Sequence, residues 1–176
     1  MTSSSLIINV SSFLTLASHV LLVLFGLALL LRLKVASSVS RAISTYAFHL
    51  AFLISILGVV GSLMFSEIIG FAPCVLCWYG RIFLYPQAII LGIAIFRRDN
   101  NIVPYILGLS IPGALLSLYQ SYAQLGGYSL TPCTSTGGSC SKIYFLEYGY
   151  ITIPTMAFTA FLLIIILMLV RMKESR

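Results

Sequence analysis

Charge is scarce in this chain. Only 8% of its 176 residues are Asp, Glu, Lys or Arg, while 60% are hydrophobic; a soluble domain of this size carries about 25% charged residues. So little polar surface cannot cover a water-soluble globule, which makes lipid the main solvent of the fold. The glycine pattern of dinucleotide-binding folds, haem-attachment spacing and iron–sulfur cysteine spacing are all missing, which excludes resident redox groups of those kinds. No internal repeat or low-complexity linker interrupts the chain, and its length allows one compact helical domain without a separate soluble one. Residues 1–12 contain no Lys or Arg, so the charged n-region of a signal peptide is lacking and the first apolar run reads as a retained helix. Ionisable residues within the apolar runs are limited to His19 and His49. Transporters usually place more such groups there, and both histidines read as interhelical hydrogen-bonding groups.

Five apolar stretches are present: Phe13–Leu31, Ala47–Phe65, Ile82–Phe96, Ile102–Tyr122 and Ile151–Val170. Most reach the roughly 20 residues a helix needs to cross about 30 Å of hydrocarbon. The third reaches it when its helix begins near Cys77. A closed β-barrel would need short alternating segments instead. Pro86 and Pro112 fall inside spans and predict kinks, whereas Pro104 and Pro154 sit near span starts, where proline is tolerated.

The net charge of +6 is not a phosphate-binding surface, because the basic residues form short clusters between the apolar runs. Arg32, Lys34, Arg41, Arg97, Arg98, Arg171, Lys173 and Arg176 all fall on one side of a five-span chain, and only Arg81 and Lys142 fall on the other. The positive-inside bias assigns the eight-residue side to the cytoplasm and the N-terminus to the outside. Membrane lipid is thus an expected partner and nucleic acid is not. The longest polar interruption, Ala123–Tyr150, then lies outside; Gly126-Gly127 and Thr131–Ser141 mark loop and turns, and Ile143–Tyr150 suits a short helix or turn in the membrane interface.

All four cysteines, Cys74, Cys77, Cys133 and Cys140, fall on that same outer face, where in bacteria disulfides form and persist. The first two form the CxxC of Pro73-Cys74-Val75-Leu76-Cys77-Trp78-Tyr79-Gly80-Arg81. At a helix N-terminus the backbone dipole favours a thiolate. For a helix starting near Cys74, positions 74, 77 and 81 share a face, so Arg81 would bring a permanent positive charge beside the thiols. Trp78 and Tyr79 suit an interfacial anchor.

Cys133 and Cys140 enclose the hexapeptide Thr-Ser-Thr-Gly-Gly-Ser. A bond there would be a structural staple worth about 2.5 kcal/mol in the chain-entropy model, or half of a relay in which two nearby pairs exchange. Four thiolates could alternatively hold a structural zinc, although the six-residue gap departs from the usual knuckle spacing. A transporter or scaffold with incidental disulfides is the other alternative.

The string from Cys74 to Arg81 closely resembles the signature of the DsbB family of disulfide-bond formation proteins. Residues 132–154, with Gly-Ser-Cys140 and Gly149-Tyr-Ile-Thr-Ile-Pro154, resemble the short second loop of BdbC-type members. The resemblance spans about residues 43–170, with the paired motifs in the family's order. It implies an all-α integral membrane fold: a DsbB-like four-helix transmembrane bundle over residues 43–176, preceded by one extra N-terminal transmembrane helix and a basic cytoplasmic loop within residues 1–42. It also implies a protein-disulfide oxidoreductase of the cell membrane. Cys133 would exchange with a soluble extracytoplasmic thioredoxin-fold thiol oxidase, DsbA- or BdbD-like. Cys140 would complete that pair, Cys74 would receive the electrons, and Cys77 would face a quinone, ubiquinone or menaquinone. No metal is implied. Arg81 matches the family arginine linked to quinone binding. Tyr119-Gln120 stands where relatives often have Tyr-His, which makes Gln120 the expected polar contact to the quinone, able to hydrogen-bond but not to titrate. The motif does not encode direction, and a reductase running electrons in reverse has the same one.

Overall fold

The computed structural model describes residues 3–31, 34–126 and 142–174. Among the described residues, five helices are long and apolar enough to cross a membrane. They are α1 (Ser3–Leu30), α2 (Lys34–Leu63, continued by a π-helical turn Met64–Ile68), α3 (Val75–Arg97), α4 (Val103–Gln124) and α5 (Ile153–Glu174). Among the described residues there is no β-strand, in keeping with an all-α membrane bundle.

The helices outrun the apolar stretches that announce them. α1 begins ten residues before Phe13, within a serine-rich segment. Two of its hydroxyls bond back to their own helix, Thr15 to the Ser11 carbonyl at 2.9 Å and Ser18 to Leu14 at 2.8 Å, which spares lipid those bare polar groups. α2 has 30 residues, about 45 Å at 1.5 Å per residue, and extends well past its apolar part. Pro86 and Pro112 lie inside α3 and α4, which continue through both.

α2 to α5 close into a ring in which each helix packs on its neighbours in sequence and α5 returns to α2; α1 lies outside the ring against α2 and α5. Lipid offers no hydrophobic drive for helices to associate, so close approach through small residues supplies the attraction. At one end Ala47, Ala51 and Ala94 let Leu91, Ile106, Ile164 and Met168 interlock. In the middle Phe161, 1% exposed, lies across Gly113, where an added Cβ would stand 2.5 Å from its ring. Between α3 and α4 a buried polar pair is satisfied internally. Ser110 donates to Gln87 Oε1 at 3.1 Å and Gln87 Nε2 donates to the Phe83 carbonyl at 3.0 Å.

The ring's two ends differ in charge. Arg41, Arg97, Arg98, Arg171 and Lys173 gather at one. There Arg171 donates to the Ser44 carbonyl at 3.3 Å and to Asn100 Oδ1 at 3.0 Å, tying α5 to α2 and to the α3–α4 turn. The other end carries the start of α3, the ends of α2 and α4, and the segment leading into α5. That segment, expected as a short helix or turn, is a turn: Glu147 and Ile151 bridge across Tyr148 (φ 51) and Gly149 (φ 80).

Candidate active site

Three local breaks set the approach to the cysteines. The π-helical turn ends α2, with the Ile69 and Phe71 N–H groups bonded to the Met64 and Phe65 carbonyls at 3.0 Å. Gly70 follows at φ 81, a conformation that a side chain resists. Cys74 then caps α3 in an extended conformation (φ −78, ψ 172), and its carbonyl accepts the Trp78 N–H at 3.2 Å. The chain thus enters α3 at the CxxC, with the positive end of the helix beside Cys74. This start also supplies the missing length of the third span.

Cys74 is buried and Cys77 half-buried, with their Sγ atoms 3.0 Å apart. That contact needs about 1 Å of closure to reach the S–S bond length. Gln120, on the last turns of α4 and 5% exposed, points its amide at both sulfurs. Nε2 donates to Cys74 Sγ at 3.2 Å and to Cys77 Sγ at 3.3 Å.

Arg81 lies one turn beyond Cys77. Its guanidinium is held by α2, Nε donating to Ser62 Oγ at 2.9 Å and Nη2 to the Ser62 carbonyl at 3.2 Å, and it covers the Trp78 ring at 4.9 Å. It stays near enough to act on the Cys77 sulfur through its charge, while its hydrogen bonds go to Ser62.

The segment following the second cysteine pair in sequence is clasped to this end of the bundle. Gln124 Nε2 donates to the Lys142 carbonyl at 2.9 Å. Tyr144 stacks on Phe71 at 4.5 Å between centroids and donates its hydroxyl to the Ala72 carbonyl at 2.7 Å. The Lys142 ammonium covers the Tyr144 ring at 4.8 Å. Burial pushes the Tyr144 phenol above its ordinary range, and negative charge on the sulfurs of Cys77 and Cys74 acts the same way, so the hydroxyl stays a donor. Cys74, Cys77, Gln120, Gln124, Lys142, Tyr144, Ile153 and Pro154 line a narrow cleft of about 20 Å³.

A disulfide-capable pair at a helix start, in a membrane bundle, is the arrangement on which the comparison with known proteins turns. Residues 44–171 match the family described as "Disulfide bond formation protein DsbB". The chain belongs to the DsbB family. It is 44% identical over 131 residues to "Disulfide bond formation protein C" of Bacillus subtilis (strain 168), covering 73% of this chain and 92% of that protein. "SPbeta prophage-derived disulfide bond formation protein B" of the same organism is 43% identical over 117 residues, 66% of this chain and 79% of that one. A "Probable disulfide formation protein" of Metapseudomonas resinovorans is 37% identical over 128 residues, 72% and 89% of the two chains. No solved structure matches. As a DsbB-family protein the chain is a multi-pass membrane protein of disulfide formation, with the thiol–disulfide oxidoreductase role of that family. α1 lies outside the matched residues.

Of the residues singled out from sequence, the structure brings Cys74, Cys77 and Gln120 into direct contact and sets Arg81 a turn away on Ser62. Cys133 and Cys140 lie outside the described residues. Gln124, Tyr144 and Ser62 escaped the sequence reading. Gln124 had a signal, standing one turn after Gln120 on the same face of α4. Ser62 and Tyr144 had none, since only packing shows that one bonds Arg81 and the other the irregular segment before Cys74.

Proposed function

We propose that this DsbB-family protein reoxidises a soluble thioredoxin-fold partner, DsbA- or BdbD-like, outside the cytoplasm and delivers the electrons to a membrane quinone. The observation that carries this reading is the cleft: its walls join the CxxC to Lys142 and Tyr144, which follow Cys140 by two and four residues. A CxxC that shares a cleft with the residues following the second cysteine pair in sequence suits a relay better than a staple.

The relay consists of two thiol–disulfide exchanges. In the first, a partner thiolate attacks the Cys133–Cys140 disulfide at Cys133, and resolution leaves the partner oxidised and this pair reduced. In the second, the reduced pair attacks at Cys74, a new Cys133–Cys140 bond forms, and the Cys74–Cys77 bond breaks. Each exchange moves two electrons and two protons, and neither needs an outside reagent.

The residues lining the cleft suit a quinone. Gln124 Oε1 is buried with no hydrogen-bond partner among the described residues, and Ile153 and Pro154 add apolar wall. Such a group, when bound, supplies an acceptor for two electrons and two protons. Gln120 and Gln124 of the cleft would hold it, with Arg81, bonded to Ser62 beside the cleft, contributing charge. Both ubiquinone and menaquinone suit these contacts. The basic end of the bundle faces the cytoplasm under the positive-inside bias, which puts the CxxC on the oxidising side.

Anaerobic quinone reduction by the purified protein, driven by a reduced thioredoxin-fold partner, tests the reading. Stoichiometric turnover that stops when either CxxC cysteine is replaced by serine is the expected result. Partner oxidation without quinone reduction would sink the quinone assignment.

A further inference from the structure

The amide of Gln120 is a buried polar group in a mostly apolar bundle, where an unsatisfied N–H is costly. Its Nε2 stands within hydrogen-bond distance of both sulfurs, reached from a helix 43 and 46 residues further along the chain. The nearest cations are turned elsewhere, Arg81 onto Ser62 and Trp78, and Lys142 onto the Tyr144 ring. A neutral, non-titrating donor therefore stands at hydrogen-bond distance from both reacting atoms.

The two redox forms of the pair differ as acceptors. Disulfide sulfur is neutral and accepts weakly, whereas the reduced pair can carry a thiolate, which accepts a charge-assisted bond about twice as strong as a neutral one. An amide nitrogen within reach of both serves whichever sulfur bears the charge. Stabilising the reduced form makes a disulfide a stronger oxidant.

We propose that Gln120 is a catalytic residue that donates to the Cys74–Cys77 thiolate and raises the oxidising strength of the pair, biasing electron flow from thiol partner into the CxxC. This deepens the function proposed above and rests on it for the direction of flow. It also gives Gln120 a sulfur-directed role of its own, distinct from any contact with a quinone.

The equilibrium to be measured is Cys74–Cys77 disulfide plus two glutathione thiols against the Cys74/Cys77 dithiol plus glutathione disulfide. One S–S bond breaks as another forms, and two electrons and two protons enter the pair. Full-length protein carrying Cys133→Ser and Cys140→Ser confines the titration to one couple, in quinone-free detergent, with alkylation and mass shift as readout. Gln120→Met keeps the side-chain length and removes the donor. It is expected to lower the equilibrium constant about tenfold, which is about 30 mV for a two-electron couple. Gln87→Met removes another buried amide, one that bonds Phe83 and Ser110 and not the sulfurs, and is expected to leave the midpoint unchanged. An unchanged or more oxidising midpoint in Gln120→Met would overturn the proposal, the latter because it means the amide oxygen faces the sulfurs. An equal shift in Gln87→Met would overturn it as well, by showing a global effect. Because no quinone is present, failure here leaves the quinone assignment standing, and failure of quinone reduction leaves this shift intact.

Discussion

His19 of α1 and Tyr150 of the turn before α5 are joined by a hydrogen bond of 3.0 Å between Nδ1 and the phenol oxygen, with their rings stacked at 5.7 Å. The other ring nitrogen meets Thr159 Oγ1 of α5 at 2.7 Å. Thr159 gives its single hydroxyl hydrogen to the Thr155 carbonyl at 2.8 Å, so it must accept from Nε2–H. Nδ1 is then the acceptor and Tyr150 the donor. A helix outside the family match is thereby pinned both to α5 and to the turn that enters α5.

Replacing this anchor should loosen α1 without touching the sulfurs. His19→Leu is expected to lower thermal stability in detergent by about 1–2 kcal/mol, the scale of two hydrogen bonds between membrane helices, with thiol–disulfide exchange retained. An unchanged melting temperature would show that lipid-facing packing alone holds α1.

The relay demands every sulfur, whereas a staple demands only stability. Cys74→Ser, Cys77→Ser, Cys133→Ser and Cys140→Ser should each abolish turnover and leave the helical bundle folded by circular dichroism. Full oxidase activity in a Cys133→Ser/Cys140→Ser variant would refute the two-pair scheme. Impermeant thiol labelling of Cys133 from the outside of intact cells is the matching topological result; labelling only from the cytoplasm would reverse the orientation.

Arg81 should act on the quinone side of the reaction. Arg81→Met keeps the apolar stem, loses the charge and the bonds to Ser62, and is expected to raise KM for quinone with little effect on mixed-disulfide formation at Cys133. Arg81→Lys keeps the charge without the planar fork and should retain part of the activity. Steady-state assays that vary quinone and thiol partner separately read this out, and unchanged quinone kinetics in Arg81→Met would limit the residue to its contact with α2.

Tyr144 predicts an alkaline limit. Only the neutral phenol can donate to Ala72, and the folded state holds that phenol above its ordinary value. With the folded value raised, the stabilising contribution is complete below the ordinary phenol range near pH 10 and is lost as pH climbs through the folded value. Wild type should therefore lose stability more steeply than Tyr144→Phe above about pH 10, in denaturation followed by tryptophan fluorescence. Parallel curves would mean that the clasp rests on the Phe71 stack instead.

Lipid imposes the part of this protein that a linear reading recovers. A backbone without water must bond to itself, so each span has to be a continuous apolar helix, and Phe13–Leu31 through Ile151–Val170 are legible as five of them. The one-sided basic clusters and the order of the two cysteine pairs are linear properties too, as is the helix start that Pro73 and the CxxC announce. What a helix faces is not linear. The rotation of α4 about its own axis, set by its packing on α3 and α5, decides that Gln120 reaches the sulfurs. The same packing turns Arg81 to Ser62, 19 residues back, and brings Tyr144 to Ala72 across 72 residues and His19 to Tyr150 across 131. Sequence by itself determined which residues stand at the same end of the bundle as the CxxC. Tertiary packing decided which of them touch, because contacts between helices depend on azimuth and depth, and a periodic apolar pattern that is hydrophobic all round leaves azimuth unspecified.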